Sequence, residues 1–329
     1  MTSQGSLGEF GRIERFFRPL ARGFAGALSL TDDAALIAVS PGQELAVTTD
    51  AVVAGVHFLA SDAPGDIARK ALRVNLSDLS AKGARPLAYT LTLALPREVS
   101  DRWVEGFAAG LAADQDCFGI ALAGGDSVST DGPVWVSITA FGLVDAGRMI
   151  KRSGAIPGDR IWVTGTIGDA ALGLAMIETR LSGSSADKEF LAGRYRLPEP
   201  RVGLAAAIAR HAHAAIDVSD GLAADFGHLC MASAVQGIIE AEKVPLSPPA
   251  RRALQTDEKI WGTLLSGGDD YEILFAADAE AGPFLRQSAL ETGIKLTEIG
   301  IVTPGAGESA ILRADGKPVL LARAGWTHS

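Results

Sequence analysis

The chain has 329 residues, 47% of them hydrophobic, a formal charge of -9 at pH 7 and two cysteines, Cys117 and Cys230. That length supports a substantial core and two domains, while two cysteines are too few for a disulfide framework or a cysteine zinc site. The acidic balance argues against a general nucleic-acid surface, and no apolar run reaches the roughly 18 residues a membrane helix needs.

Residues 1–10 lack a cationic start followed by an apolar core, so no export signal is read there and a cytoplasmic protein is expected. Phe10, Ile13, Phe16 and Phe17 recur at helical spacing, and Pro19 ends that helix. Asp32 and Asp33 follow between short apolar flanks, a pattern that also suits a helix cap or a turn. Residues 45–47 read as a buried strand ending in two hydroxyls and a carboxylate, Thr48, Thr49 and Asp50. Residues 63–83 read as a helix opened by Pro64 and closed by Gly83. Its apolar stripe is Ala68, Leu72, Leu76 and Leu79, and Asn75 and Asp78 lie one turn apart on a neighbouring face. A strand at 89–95 and a helix at 99–113 come next. A strand at 118–123 then runs into a turn, Gly124-Gly125-Asp126-Ser127, and another strand covers 134–144.

The basic, turn-rich segment 151–158 marks the domain boundary, giving an N-terminal domain over 1–148 and a C-terminal domain over 149–329. A strand at 160–165 leads into a glycine-bearing loop and helix at 166–177. Its T-G-T-I-G-D resembles a phosphate loop but is neither a dinucleotide fingerprint nor a Walker sequence. Residues 182–188 read as a polar loop and 202–211 as an alanine-rich helix. The strand at 214–222 ends in Asp217 and Asp220, with Ser219 between them. A helix at 223–233 and a strand at 237–241 follow, and residues 267–272 repeat the Gly-Gly-Asp theme. Strands and helices alternate alike in both halves, which hints at two related α/β domains.

The acidic groups at strand ends and turns carry the chemistry. Carboxylates beside apolar runs need partners, which are arginines, backbone N–H groups or metal. Basic residues are sparse beside these motifs, which favours metal. Oxygen donors without His/Cys clusters suit Mg²⁺ or Mn²⁺ better than Zn²⁺. Such sites beside glycine-rich turns suggest a nucleoside triphosphate, and phosphoryl transfer needs mainly positioning and charge neutralisation. No G-x-x-x-x-G-K-[ST] or protein-kinase signature occurs, so a different nucleotide fold is expected.

Taken in order, D-D-A-A-L from Asp32, T-T-D-A-V-V-A-G-V-H-F from Thr48, K-A-L-R-V-N-L-S-D-L-S-A-K-G-A-R-P from Lys70, G-G-D from Gly124, R-S-G-A-I-P-G-D from Arg152, D-V-S-D-G-L from Asp217, G-G-D-D-Y-E from Gly267 and the terminal G-W-T-H resemble the thiamine-monophosphate kinase family. The match covers nearly the whole chain. It implies a two-domain aminoimidazole ribonucleotide synthetase-like fold of α/β (α+β) class, with mixed sheets flanked by helices. The reaction it implies joins ATP and thiamine monophosphate, with Mg²⁺, to give thiamine diphosphate and ADP. By the same resemblance Asp33, Thr48, Thr49, Asp50, Asp78, Asp126, Asp217 and Asp220 are metal ligands, with Asp50, Asp78, Asp126 and Asp217 as the catalytic core. Gly125, Asp126, Arg152 and Ser219 contact the nucleotide, and His57, Asp269 and Trp326 the substrate. It also implies a homodimer built through the N-terminal sheets, with no nucleic-acid or membrane partner.

Three positions depart from the family pattern: Asp269 where Glu is common, Ser329 where an aromatic is common, and S-L-T before Asp32 where a glycine is usual. Within the fold His57 alternatively reads as a satisfied strand-edge histidine, Trp326 as cover for core surface, and Arg152 as a carboxylate partner. The competing functions are another ATP-dependent enzyme of the same superfamily acting on a different small substrate, and a non-catalytic nucleotide-binding relative. Selenophosphate synthetase would call for a reactive cysteine near the N-terminus and a hydrogenase-maturation relative for a C-terminal one; neither is present.

Overall fold

A computed structural model describes residues 7–326. It divides into two compact units, the first extending to Leu79 and including Arg85–Gly147, the second taking in Ser80–Ala84 and everything from Arg148 onward.

The first unit holds a four-stranded sheet of β1 (Gln43–Val53), β2 (Arg85–Pro96), β3 (Ala121–Thr130) and β4 (Trp135–Asp145). The spatial order is β1-β4-β2-β3, antiparallel except where β2 runs parallel to β3. Helix Pro64–Ala81 buries the expected stripe, Ala68, Leu72, Leu76 and Leu79, and each leucine fully removed from water contributes roughly 1.5–3 kcal/mol. Helix Asp101–Phe118 starts at Ser100, whose hydroxyl accepts the Trp103 N–H at 3.3 Å, and stops at Gly119 in the left-handed region.

Two strands run further than their apolar runs suggest. β1 continues through Thr48, Thr49 and Asp50, because it pairs with β4 from Gln43 opposite Asp145 to Val53 opposite Trp135. β3 likewise continues through Gly124–Ser127, paired with β2 after an irregularity at Tyr89/Thr90, so Gly-Gly-Asp is strand here and not a turn. Gly125 is required by close packing: a Cβ there would overlap the Leu91 carbonyl of β2.

The second unit holds a six-stranded mixed sheet. Its strands are β5 (Arg160–Thr164), β6 (Ala212–Val218), β7 (Gln236–Glu240), β8 (Glu272–Ala277), β9 (Leu296–Thr303) and β10 (Ser309–Leu312), in the order β10-β7-β9-β5-β8-β6. Both faces are covered, so β8 is buried at every position. Leu274 and Ala276 join one core with Val163, Ile216, Val218, Leu222 and Phe226, while Ile273 and Phe275 join another with Trp162, Ile208 and Leu285. The segment expected as a polar loop at 182–188 instead opens helix Ser185–Arg196, because the Ser184 hydroxyl caps it by accepting the Asp187 N–H at 3.1 Å. Among the described residues no helix is long and apolar enough to cross a membrane.

Candidate active site

In the first unit, strand alternation decides which oxygens meet. Thr48 and Asp50 share a face of β1 with buried Ala46 and Val52. The Thr48 hydroxyl donates to the Asp78 carboxylate on helix Pro64–Ala81. Asp50 lies partly buried near the same carboxylate. Burial first, and then the charge of Asp78, push its carboxyl up to about 6. Thr49 lies on the opposite face, where its hydroxyl accepts from the Thr139 hydroxyl at 3.0 Å and donates to the Ile138 carbonyl at 3.3 Å. Its side chain therefore stands apart from the Thr48–Asp50–Asp78 group. Asn75, fully buried one turn before Asp78, turns its amide back onto the Ala71 carbonyl at 3.0 Å.

His57 follows β1. Its Nδ1 accepts the Val53 N–H at 3.2 Å, which places the proton of the neutral ring on Nε2. The buried Lys70 ammonium donates to the His57 carbonyl at 2.8 Å and fixes the loop from behind. Asp33 and Asp126 line one cleft of about 790 Å³, together with Asp32, Gly125, Phe17 and Leu30. The floor of this cleft is the glycine-bearing part of β3, and its Asp33 N–H donates to the Asp32 carboxylate at 2.8 Å. A cleft of this size lined by both carboxylates and apolar side chains is suited to a small polar ligand with a ring.

In the second unit, Asp217 is buried near the end of β6, while Ser219 and Asp220 emerge just beyond it. The Gly-Gly-Asp loop lies against this segment: Asp269 N–H donates to the Ser219 carbonyl and Tyr271 N–H to the Val218 carbonyl, both at 2.8 Å. Gly268 allows that approach, because a Cβ there would overlap the Ser219 carbonyl oxygen. Asp269 adopts φ +74, a conformation aspartate tolerates better than most residues. From the C-terminal side, Trp326 N–H donates to the Asp220 carbonyl at 3.0 Å. The Trp326 ring is about half exposed, with the Arg323 guanidinium 5.5 Å from its centroid, so this face already accepts a cation. His328 and Ser329 lie outside the described residues.

Asp225, in the first turn of helix Leu222–Ser233, escaped the sequence reading. It is buried, and burial followed by the charge of Asp220 push it up to about 7, against the pull of two backbone N–H groups and of exposed Arg152. Two other carboxylates of the Gly-Gly-Asp motif serve the scaffold. Asp270 accepts from Gly168 N–H at 2.5 Å and Ala170 N–H at 3.2 Å, capping helix Asp169–Ile177, and burial holds it well above the usual carboxylate range. Glu272 is fully buried between Thr164, Arg194 and Arg201. Burial works to raise it, but Arg201 and then Arg194 outweigh burial and leave it below the usual range. The arginines that identify it as structural lie more than seventy positions away in the chain, and no local pattern announces them.

Among the described residues, no group of three or more His, Cys, Asp or Glu side chains is arranged to hold a metal by itself. The carboxylates approach in pairs instead, Asp50 with Asp78 and Asp220 with Asp225. Thr48, Asp50 and Asp78 in the first unit and Asp220 in the second are oxygen donors that fit Mg²⁺, which takes one or two carboxylates and completes its shell with water and phosphate oxygens.

Residues 31–144 match the family model for the AIR synthase related protein, N-terminal domain, and residues 157–313 the model for its C-terminal domain. The chain is 48% identical over 325 residues to thiamine-monophosphate kinase of Caulobacter vibrioides, covering 97% of this chain and 90% of that one. It superposes with TM-score 0.84 and 40% identity on thiamine-monophosphate kinase from Stenotrophomonas maltophilia K279a, covering 96% and 99% of the two chains. It likewise matches AaThiL complexed with AMPPCP and TMP, with TM-score 0.77, 31% identity and 100% of both chains covered. With Thr48, Asp50, Asp78, Asp217 and Asp220 set on its sheets and helices as described, and with likeness extending over both units, the chain belongs to the thiamine-monophosphate kinase family within the AIR synthase related proteins.

Proposed function

We propose that the protein transfers the γ-phosphoryl group of ATP to thiamine monophosphate, giving thiamine diphosphate and ADP in thiamine diphosphate biosynthesis. The observation that carries this reading is the likeness along the full length of both chains to AaThiL complexed with AMPPCP and TMP. Chemically, the bond from the γ-phosphorus to the β,γ-bridging oxygen breaks, and a bond forms from that phosphorus to a phosphate oxygen of thiamine monophosphate.

The nucleophile is a phosphate, whose second pKa of about 6 leaves it mostly ionised at neutral pH. No strong general base is needed, and none is assigned. The obstacle is the approach of two anions. Magnesium would be held by Thr48, Asp50 and Asp78, with Asp33, Thr49 and Asp126 as further candidate ligands in the first unit and Asp217 and Asp220 as candidate ligands in the second, and would supply positive charge to the phosphates. Asp50 and Asp78 keep a repelling pair of carboxylates ready for that cation. Asp50, Asp78, Asp126 and Asp217 form the catalytic core.

Gly125 and Asp126 present the β3 edge of the 790 Å³ cleft to the nucleotide, and Arg152 and Ser219 add a guanidinium and a hydroxyl for its phosphates. His57, with its proton on Nε2, donates to the monophosphate of the acceptor. Trp326 stacks on the cationic thiazolium, and Asp269 contacts the same substrate. The protein acts in the cytoplasm as a homodimer joined through the β1–β4 sheet. The outward face of that sheet, bearing exposed Val47 and Ala51, supports this assignment.

The test is incubation of purified protein with thiamine monophosphate, ATP and Mg²⁺, following thiamine diphosphate and ADP in equal amounts. Absence of product under conditions where a related kinase turns over rejects the reading. Sedimentation analysis of the same preparation reads the dimer directly.

A further inference from the structure

We infer that Asp225 is a positioning residue, whose carboxylate fixes the Ser219–Asp220 segment in the conformation that binds metal and nucleotide; this rests on the function proposed above. One oxygen, Oδ2, accepts both the Asp220 N–H and the Gly221 N–H, each at 3.1 Å. The Asp225 N–H in turn donates to the Gly221 carbonyl at 3.0 Å, so side chain and main chain together grip successive peptides of one turn.

The other side of the segment is fixed as completely. The carbonyls of Val218, Ser219 and Asp220 accept from Tyr271, Asp269 and Trp326 at 2.8, 2.8 and 3.0 Å. Three consecutive carbonyls, and the N–H groups on the peptides of the last two, are thereby held within the second unit. The carbonyl partners come from distant loops, and the acceptor for both N–H groups is one side chain. Removing that acceptor leaves two N–H groups without their partner at the point where Ser219 and Asp220 leave the sheet.

Asp270 uses the same device on Gly168 and Ala170, but the turn it holds bears none of the candidate ligands. Asp225 differs because the peptide it holds is that of Asp220 itself. Its burial, at 2% exposure, keeps it out of contact with substrates, so its effect passes through Asp220.

The experiment compares wild type with Asp225→Ala and Asp225→Asn. Mn²⁺ binding in the presence of AMPPCP is measured by electron paramagnetic resonance well below each melting temperature, alongside the Mg²⁺ half-saturation of kinase turnover. The inference expects Asp225→Ala to weaken Mn²⁺ binding by about tenfold or more, the scale of losing a group that orients a metal ligand. Asp225→Asn, whose Oδ1 still accepts both N–H groups, should stay within about threefold of wild type. Unchanged Mn²⁺ binding in folded Asp225→Ala overturns the inference, and so does equal impairment of both variants. If Asp225→Ala does not fold, Asp225→Asn alone decides: a tenfold loss overturns, and near-normal binding upholds. Wild type that binds Mn²⁺ with AMPPCP but makes no thiamine diphosphate would reject the proposed function and leave the positioning role to be read from the Mn²⁺ data.

Discussion

The Thr48 hydroxyl donates to the Asp78 carboxylate and so ties β1 to helix Pro64–Ala81. Thr48→Val keeps the size of the side chain and removes the hydroxyl, freeing Asp78 to rotate away from Asp50. The substitution removes both a proposed metal-ligating oxygen and the hydrogen bond that orients Asp78, and loss of an orienting bond alone typically costs about 10- to 100-fold in metal affinity or activity. Thr48→Val should therefore raise the Mg²⁺ concentration for half-maximal turnover by about tenfold, with little change in melting temperature. A magnesium titration of the variant that superimposes on wild type would remove Thr48 from the set.

Asp50 links binding to stability through pH. Its carboxyl is raised to about 6 in the folded protein, by burial and then by Asp78, from an ordinary value of 3.8. A raised carboxylate binds its proton more tightly folded than unfolded, so stability falls as pH rises from about 4 to about 6, and the penalty is fully present above that. Metal-free Asp50→Asn should consequently be more stable than metal-free wild type at pH 8, by an amount on the order of 3 kcal/mol. The gain should vanish at pH 4. The same variant should lose kinase turnover. Equal melting of the two proteins at pH 8 would contradict the account of Asp50 as a strained half of a carboxylate pair.

His57 gives a test of orientation. Its Nδ1 accepts the Val53 N–H and its carbonyl accepts from Lys70, which fix the ring orientation and put the proton of the neutral ring on Nε2, the donor proposed for the acceptor's phosphate. His57→Ala should raise KM for thiamine monophosphate about tenfold, the scale of one charge-assisted hydrogen bond, while leaving KM for ATP near wild type. Steady-state kinetics with each substrate varied in turn separates these outcomes. A rise confined to the ATP constant would place His57 elsewhere.

Much of this was legible in the sequence where the signal is local. The stripe of helix Pro64–Ala81 and the alternation of strands and helices follow from residue spacing alone. The thiamine-monophosphate kinase resemblance survives comparison with solved structures. What escaped depends on pairing between distant segments. Gly124–Ser127 reads as a turn in isolation and becomes strand only because β2 lies alongside it. Thr48 and Thr49 look equivalent in the chain, yet the register with β4 sends their hydroxyls to opposite faces. Asp225 sits five residues from Asp220 in a helical stretch, and only the turn at Gly221 brings its carboxylate back onto the Asp220 peptide. Residues 182–188 carried a capping serine that a composition-based reading passes over.

Glu272 provides the sharpest contrast between scaffold and site within one motif. It is wholly buried, accepts from the Thr164 hydroxyl at 2.6 Å, and is paired with Arg194 at 2.7 Å and with the Arg201 Nε at 2.6 Å. Removing one partner of a buried ion pair typically costs about 3–5 kcal/mol, because the charges left behind have lost their counter-ion. Glu272→Ala should therefore destabilise the second unit by that order, seen as a lower melting transition. Glu272→Gln, which keeps the hydrogen-bonding shape without the charge, should fall between. The carboxylate of the folded protein lies below its ordinary value of 4.5, so its contribution is present above that value and is lost as pH falls through the lower folded one. The gap between wild type and Glu272→Gln should consequently be widest at neutral pH and narrow under acid, the reverse of the Asp50→Asn comparison only in sign: there the variant is the more stable protein at neutral pH, here the wild type is. If Glu272→Gln melted with wild type at pH 7, the buried arginines would have to draw their compensation from some other group, and the reading of Glu272 as the structural carboxylate of the Gly-Gly-Asp-Asp-Tyr-Glu motif would fail.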